Sequence, residues 1–443
     1  MSSPATIFAL ASGSGRAGVA VFRLSGAQAG AALVTLGGQP LPEPRRAVRR
    51  RVRGANGEII DDGLALWFPA PHSFTGEDVV ELQLHGGRAV ASALAEALLA
   101  LGLRPAEPGE FSRRAFEAGK LDLTQAEAIA DLVDAETAAQ RRQALRQMDG
   151  ALLRLYEGWR ERLLRAQAHL EAEIDFADED LPGGLSDSAR VEIDAIAAQM
   201  AAHLADGRRG ERLRDGLHIA ILGAPNVGKS SLLNRLAGRE AAIVSATAGT
   251  TRDVIEVHLD LGGYPVVLAD TAGLRDAAEA VEEEGIRRAR ARAEAADLCL
   301  VVFDAGTLPD LDAESLSLVD GRAIPLVNKI DRTTAAIPDA IGGQVAVGVS
   351  ARNGEGLELL LALLTDRAAE VLEGSGAPAL TRARHRLAIE DSVTALRRCL
   401  TAGLPELAAE DVRVAARALG RITGRVDVEE MLDVIFREFC IGK

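Results

Sequence analysis

Residues Gly223-Ala-Pro-Asn-Val-Gly-Lys-Ser230 decide the fold of the central part of this chain. They follow the apolar run Leu217-His-Ile-Ala-Ile-Leu222 and precede Ser231-Leu-Leu-Asn-Arg-Leu-Ala237, which has helical character. A glycine-rich loop ending in Lys-Ser, placed between a strand and a helix, is the arrangement that holds phosphate groups. The segment therefore predicts a phosphate-binding loop at a strand end of a parallel α/β sheet.

Four further motifs follow in order. Two have the character of switch segments, and two predict guanine as the base. Gly249-Thr-Thr-Arg-Asp253 and Asp270-Thr-Ala-Gly273 have the character of switch segments that respond to a γ-phosphate. Asn328-Lys-Ile-Asp331 offers a carboxylate that can accept two hydrogen bonds from guanine N1 and N2, which adenine lacks. Ser350-Ala-Arg352 would contact guanine O6 through main-chain N–H groups.

These motifs supply a full set of predicted GTP contacts. They are Asn226, Val227, Gly228, Lys229, Ser230, Ser231, Ser245, Ala246, Thr247, Ala248, Gly249, Thr250, Thr251, Asp270, Thr271, Ala272, Gly273, Asn328, Lys329, Ile330, Asp331, Ser350, Ala351 and Arg352. Ser230 and Thr251 are the expected Mg²⁺ ligands, with Asp270 close to the ion.

One position departs from the usual pattern of GTP hydrolysis. Leu274 follows Asp270-Thr-Ala-Gly273, where many GTPases place a glutamine that orients the attacking water. An isobutyl group cannot orient water, so another polar group must do so. Switch II offers Glu279, Glu282, Glu283 and Glu284 as candidates.

Lysine is scarce in this chain. Of fifty basic residues only Lys120, Lys229, Lys329 and Lys443 are lysine. A lysine ammonium is a compact charge, whereas the arginine guanidinium is a wide planar fork. Two of the four lie in nucleotide motifs, so we expect Lys120 and Lys443 to occupy tight ligand sites as well, with chance as the alternative.

Composition predicts a cytoplasmic globular protein. The N-terminus lacks the features of a signal peptide, and no stretch of 18 uncharged apolar residues occurs. Cys299, Cys399 and Cys440 show no paired spacing. A net charge of −15 argues against nonspecific coating of nucleic acid. Arginines 45, 46, 49, 50, 51 and 53 form a local basic patch, interpreted as solvated surface or as an RNA contact.

Periodicity predicts a multidomain α+β protein. Short β-rich runs and one helix over 89–101 fill the N-terminal part, and a helical pattern begins near Thr124-Gln-Ala-Glu127, which has capping-box spacing. The expected domains are 1–118, a helical domain over 119–214, an inserted α/β P-loop G domain of Ras-like type over 215–372, and a second helical part over 373–443.

The whole chain resembles the MnmE (TrmE) family of tRNA modification GTPases. Beyond the nucleotide motifs, the resemblance rests on Gly15-Arg-Ala-Gly-Val-Ala-Val-Phe-Arg23, Phe74-Thr-Gly-Glu-Asp-Val-Val-Glu81, Pro108-Gly-Glu-Phe-Ser-Arg-Arg-Ala-Phe116, Gly119-Lys-Leu-Asp-Leu-Thr-Gln-Ala-Glu-Ala-Ile-Ala-Asp131 and Cys440-Ile-Gly-Lys443. It implies an N-terminal α+β folate-binding and dimerisation domain, a discontinuous helical domain and an inserted G domain.

The resemblance also implies how hydrolysis is activated. A potassium ion would supply the charge that an arginine finger provides elsewhere, held by Asn226, Ser245, Thr247 and Thr250. Asn226 could instead only shape the loop, and Ser245 and Thr247 differ from the expected family side chains. Glu282 maps to the catalytic, water-orienting glutamate, and the G domains of a homodimer would align it.

A tetrahydrofolate derivative, 5-formyl or 5,10-methylene, is the implied second ligand. It would be bound by Arg23, Glu81 and Lys120, with Lys443 nearby. The pterin edge suits a carboxylate, and the glutamate tail suits cations. For Cys440, packing is favoured over a nucleophilic role.

The implied function is addition of a carboxymethylaminomethyl or aminomethyl group at C5 of the wobble uridine, position 34, of certain tRNAs. The implied partner is the FAD protein MnmG, in a heterotetramer. Two alternatives stay open: a ribosome-assembly GTPase that acts as an RNA-binding switch, and a folate enzyme with a regulatory nucleotide domain.

Overall fold

The chain is described from a computed structural model. The described residues are 5–175, 185–239, 241–243, 256–270, 291, 293–374, 377–426, 429–437 and 439–442. They form two compact units. The first contains Met1–Ala130, Gln147–Arg190 and Arg398–Lys443, and the second contains Asp131–Arg146 and Val191–Arg397.

The first unit is built on a six-stranded sheet. Its strands are β1 (Ile7–Leu10), β2 (Ala17–Ser25), β3 (Val48–Arg53), β4 (Ile59–Phe68), β5 (Val79–Gly86) and β6 (Arg104–Pro105), in the order β3-β4-β5-β2-β1-β6. Only β1 and β6 pair in parallel. Val80, Leu82 and Leu84 are buried and alternate with the partly exposed Glu81 and Gln83. This period of two directs one face to the core.

Helices α1 (Ala29–Gly37) and α2 (Arg88–Ala100) cover the apolar face of this sheet. Leu33 of α1 and Leu94 and Leu98 of α2 pack in one cluster with strand residues such as Phe22. The short helix α3 (Glu110–Glu117) follows β6. Side chains on the opposite face of the sheet, including Arg23 and Glu81, are left available for polar contacts.

The helices that follow are α4 (Leu123–Asp134), α5 (Ala138–Met148), α6 (Ala151–Asp175) and α7 (Leu185–Leu204). Near the C-terminus lie α12 (Ala383–Thr401), α13 (Pro405–Thr423) and α14 (Glu429–Arg437). Helix α6 packs along α13. Its buried stripe comprises Leu152, Tyr156, Trp159, Leu163, Ala166 and Leu170, which recur every three or four residues.

The predicted start of α4 is wrong by two residues. Asp122, not Thr124, is the N-cap, because its Oδ1 accepts the N–H groups of Thr124 at 2.8 Å and Gln125 at 3.3 Å. In turn, Gln125 Oε1 accepts the N–H of Asp122 at 3.1 Å. Two overlapping sequences had capping-box spacing, and aspartate is the stronger cap. Thr124 is buried instead.

The second unit contains the α/β sheet. Its strands are β7 (Leu217–Leu222), β8 (Glu256–Leu261), β9 (Tyr264–Asp270), β10 (Leu298–Asp304), β11 (Ala323–Asn328) and β14 (Val347–Gly348), in the order β14-β11-β10-β7-β9-β8. All neighbours are parallel except β8 and β9. The hairpin strands β12 (Ala340–Ile341) and β13 (Gln344–Val345) pair separately.

The helices of this α/β sheet region are α8 (Arg209–Asp215), α9 (Lys229–Ala237), α10 (Ala313–Ser317) and α11 (Leu357–Leu372). Parallel strands place their carboxyl ends at one edge of the sheet, where the phosphate and base motifs begin. The predicted fold class, multidomain α+β with an α/β P-loop region, is confirmed. Within the described part of the chain, no helix is long and apolar enough to cross a membrane.

Candidate functional site

The phosphate loop connects β7 to α9 and is shaped by two glycines with positive φ. Gly223 has φ 138°, and a Cβ there would lie 2.3 Å from the carbonyl oxygen of Val302. Gly228 has φ 104°, and a Cβ there would lie 2.3 Å from Asn328 Nδ2. Only glycine fits both positions, because neighbouring strands approach the loop closely.

Lys229 turns back over this loop. Its Nζ donates to the carbonyl oxygens of Gly223 and Ala224, each at 2.8 Å. The ammonium therefore lies at the loop that the sequence predicts as the phosphate cradle. Ser230 and Ser231 follow in the first turn of α9, with both side chains exposed.

The base motif is joined to the phosphate loop by hydrogen bonds. Asn328 is buried, and its Nδ2 donates to the carbonyl oxygen of Val227 at 2.8 Å. Its Oδ1 accepts the N–H of Ala351 at 3.1 Å. One side chain thus ties together three of the predicted nucleotide segments.

Asp331 is oriented by a second hydrogen bond within the site. Its Oδ1 accepts from Ser350 Oγ at 2.7 Å, and Arg352 Nη1 lies 3.9 Å from its Oδ2. The hydroxyl fixes the plane of the carboxylate, as recognition of two guanine N–H groups requires. The structure therefore brings Asp331 and the 350–352 segment together, as the sequence predicts.

Lys329 and Asn226 both have left-handed backbones, with φ values of 65° and 62°. Such conformations are uncommon outside glycine and are held by local contacts. Lys329 Nζ donates to the carbonyl oxygen of Asn226 at 2.7 Å and to Asp304 Oδ2 at 2.6 Å. The Asn226 side chain is left exposed at the rim of the phosphate loop.

Sequence reasoning missed Asp304, the partner of Lys329. It ends β10 directly opposite Asn328 in the β10–β11 register. Partial burial raises the pKa of the Asp304 carboxyl, but hydrogen bonds from Lys329 and the N–H of Gly306, with the nearby cations, hold that pKa below its ordinary value. Asp304 is therefore a charged anchor for the lysine, which only the strand register reveals.

The Mg²⁺ prediction concerns the neighbouring strand ends. Asp270 ends β9 and pairs in register with Ile221 of β7, one strand from the phosphate loop. Ser230 offers an exposed hydroxyl at the start of α9. Hydroxyl and carboxylate oxygens are ligands that Mg²⁺ prefers, so the residue types fit.

Several predicted site residues lie outside the described residues. They are Ser245, Ala246, Thr247, Ala248, Gly249, Thr250, Thr251, Thr271, Ala272, Gly273, Glu282 and Lys443. Of the proposed potassium ligands, the described part of the chain contains Asn226 alone.

A second candidate site lies on the sheet of the first unit. Arg23 of β2 stands opposite Glu81 of β5, and Nη2 and Nε of Arg23 donate to Glu81 Oε1 at 2.9 and 3.1 Å. The guanidinium carbon lies 5.4 Å from the ring centre of Phe74 and 5.8 Å from that of Phe111. Sequence reasoning missed both aromatic residues, which add flat apolar surface beside the ion pair.

Lys120 and the C-terminal segment also belong to the first unit. Lys120 is exposed, and a Cβ built on Gly76 would lie 3.3 Å from its Cε. Ile441 forms a β-bridge with Pro108, and a Cβ on Gly442 would lie 2.4 Å from the carbonyl oxygen of Leu10. The chain end therefore docks beside β1, which pairs with the strand that carries Arg23.

The structure separates the three cysteines. Cys299 and Cys399 are buried, and burial raises the pKa of each thiol. Cys440 is exposed, so the packing role favoured for its side chain is wrong. Its carbonyl oxygen accepts the N–H of Gly109 at 3.4 Å, which fixes the main chain there.

The basic patch of the N-terminal part is partly neutralised. Arg49 and Arg51 both pair with Asp62, at 2.8 and 3.4 Å, and Arg46 pairs with Glu43 at 2.9 Å. These exposed pairs fit the solvated-surface interpretation of the patch.

The phosphate loop and the Asn-Lys-x-Asp motif, joined at the carboxyl edge of a parallel sheet, define a P-loop protein that binds guanine nucleotide. Comparisons with known proteins give the family. The family described as "MnmE helical domain" matches residues 123–440, and "GTP-binding protein TrmE N-terminus" matches residues 6–120. The chain belongs to the MnmE family of tRNA modification GTPases.

Curated relatives match along the full length. The tRNA modification GTPase MnmE of Paramagnetospirillum magneticum is 64% identical over 439 residues, covering 99% of each chain. That of Rhodospirillum rubrum is 58% identical over 452 residues, again covering 99% of each. Among solved structures, the G domain of the T. maritima FeoB iron transporter is 27% identical, covering 34% of this chain and 98% of that one, with a TM-score of 0.27.

Proposed function

We propose that this chain is a homodimeric, potassium-activated GTPase that acts in the cytoplasm in modification of the tRNA wobble uridine. The observation that carries the GTPase assignment is the joined guanine site, in which Asn328 connects the phosphate loop to the 350–352 segment. The tRNA assignment rests on membership of the MnmE family.

GTP recognition is assigned to groups already aligned in the site. The Asp331 carboxylate, oriented by Ser350, would accept the N1–H and N2–H groups of guanine. The aliphatic part of Lys329, held at its ammonium end by Asp304, would flank the base. Lys229 and the N–H groups at the start of α9 would hold the phosphates.

Hydrolysis requires stabilisation of negative charge on the transferred phosphoryl group. Ser230 and Thr251 would hold Mg²⁺, with Asp270 close to the ion, and the bound ion would neutralise charge on the phosphates. Asn226, Ser245, Thr247 and Thr250 would hold K⁺ in place of an arginine finger. Glu282 would orient the attacking water, because Leu274 cannot.

The second ligand would be a tetrahydrofolate derivative that supplies the one-carbon unit. Glu81 and Arg23 present acceptor and donor groups side by side, and the Phe74 ring offers a flat surface for a pterin. Lys120 and Lys443 would bind the glutamate tail. The partner in the heterotetramer would be the FAD protein MnmG, and GTP turnover would control the assembly.

A salt-exchange experiment tests the activation mechanism. GTPase rates are measured in matched potassium and sodium buffers for the wild-type protein, Asn226→Ala and Glu282→Ala. We expect potassium to accelerate the wild-type protein and Asn226→Ala to lose most of that acceleration. Glu282→Ala should lower the rate about 100-fold or more, with GTP affinity changed by less than about twofold.

Equal wild-type rates in both salts would contradict the potassium site, and parallel loss of rate and affinity in Glu282→Ala would remove its assigned role. The tRNA assignment has a separate test, mass analysis of wobble uridines from cells that lack this chain. Fully modified uridine in such cells would refute it and leave the GTPase assignment standing.

A further inference from the structure

The loop between β4 and β5, residues 69–78, contacts two parts of the proposed folate site. The ring of Phe74 lies against the Arg23 guanidinium at 5.4 Å. Gly76, with φ 78°, passes so close to the segment after α3 that a Cβ there would lie 3.1 Å from Ala118 Cβ and 3.3 Å from Lys120 Cε. Arg23 and Lys120 belong to different elements, so this loop sets their spacing.

Glu77 fastens the loop to its surroundings. Its carboxylate accepts from Arg114 Nη1 at 3.0 and 3.2 Å and from Ser25 Oγ at 2.6 Å. The hydroxyls of Ser25 and Thr75 are 2.7 Å apart, and Thr75 is fully buried. The loop is thus tied both to the end of β2 and to helix α3.

Arg114 is the buried centre of these contacts. Its side chain is 8% exposed and also donates to Glu110 Oε1 at 2.8 Å and to the carbonyl oxygen of Ala5 at 2.9 Å. Glu110 in turn pairs with Arg104. These contacts form one series of ion pairs, Arg104–Glu110–Arg114–Glu77, in which each charged side chain contacts one of opposite charge. The pairing restricts the conformations that these side chains can adopt.

We propose that Glu77 and Arg114 are positioning residues for the folate ligand, which hold the loop so that Arg23, Glu81 and Lys120 face one molecule. This inference rests on the proposed folate site and adds residues that do not touch the ligand. The ligand class is a reduced folate long enough to reach from the Arg23–Glu81 pair to Lys120.

The test compares two ligands on the full-length protein by calorimetric titration. One is 5-formyltetrahydrofolate, and the other is a tetrahydropterin without the aminobenzoyl-glutamate tail, which reaches only the Arg23–Glu81 pair. In Glu77→Ala we expect affinity for the whole folate to fall about tenfold or more, because preorganisation is lost. Affinity for the pterin fragment should fall much less, since it needs no alignment with Lys120.

Arg49→Gln is the matched control. It breaks an ion pair with Asp62 on the same sheet but leaves the bonds between Arg114 and Glu77, so folate affinity should stay within about twofold of the wild type. Protease resistance of the N-terminal sheet reports whether the first unit of each variant is folded. If Glu77→Ala does not fold, Glu77→Gln replaces it, because the amide keeps one acceptor for Arg114 and should give a smaller loss in the same direction.

The possible outcomes separate the two proposals. Equal folate affinity in the wild type and the Glu77 variants, or equal losses for folate and pterin, would overturn the positioning role alone. Absence of folate binding by the wild-type protein would remove the folate site, and the positioning role with it.

Discussion

At the residue scale, guanine selectivity depends on the charge of Asp331. The Ser350 hydroxyl already occupies one lone pair of Oδ1 and fixes the carboxylate plane, so the remaining lone pairs have set directions. An amide in this position would keep the shape but offer one acceptor and one donor group. The arrangement predicts a change of base preference, and not only a loss of affinity.

Asp331→Asn should lower GTP affinity about 100-fold or more, because two charge-assisted hydrogen bonds are lost or reversed. Affinity for xanthosine triphosphate should rise, since its C2 carbonyl can accept from the new amide. Competition binding with both nucleotides measures this. Ser350→Ala keeps the carboxylate and should cost less than about tenfold. Unchanged GTP affinity in Asp331→Asn would contradict the base assignment.

At the element scale, the N-cap of helix α4 is a partly buried carboxylate. Asp122 caps the helix through Oδ1, while its Oδ2 is buried without a partner. Burial raises the pKa of this carboxyl above its ordinary value, despite the bonds from Thr124 and Gln125. Because the folded state favours the protonated form, the stabilising contribution of Asp122 is present at low pH and is lost as pH rises through the raised pKa.

Asp122→Asn should therefore keep the cap without the buried charge. We expect its free energy of unfolding at pH 7 to match or exceed that of the wild type, whereas Asp122→Ala should lose about 1 kcal/mol. The advantage of Asp122→Asn over the wild type should shrink as pH falls toward the acidic range. Urea unfolding at several pH values measures it. A wild type that is more stable than Asp122→Asn at pH 7 would refute this reasoning.

The helices and strands differ in how well the sequence predicts their positions. The strand before Gly223 and the helix after Lys229 were predictable, because the apolar run and the loop glycines agree locally. The cap of α4 was not, since two overlapping four-residue patterns competed. Asp304 lies beside Lys329 because of the β10–β11 register, and Phe111 lies beside Arg23 because of the way helix α3 packs. In both cases the two residues are far apart in the chain. Spacing along the sequence does not predict such neighbours.

At the scale of the whole molecule, the scarcity of lysine predicts that Lys443 occupies a tight ligand site. The main chain up to Gly442 docks beside Leu10, and Lys443 is the next residue in the sequence. Lys443→Arg preserves charge but replaces a compact ammonium with a planar fork. We expect affinity for 5-formyltetrahydrofolate to weaken measurably, by about threefold or more.

Arg437→Lys, a reverse exchange on the exposed end of α14, is the control and should leave folate affinity unchanged. Calorimetric titration with the full-length variants measures both. Identical affinities for the wild type and Lys443→Arg would show that the arginine bias of this chain has no connection with ligand sites.

The bridge between Pro108 and Ile441 has a consequence for biosynthesis. The first unit combines residues before 131 with residues after 397, so it remains incomplete until the later segment has been translated. The intervening α/β sheet has its strands and helices within one continuous stretch and can assemble sooner. A nascent chain stalled before codon 440 should therefore acquire nucleotide binding before its N-terminal sheet gains full resistance to protease.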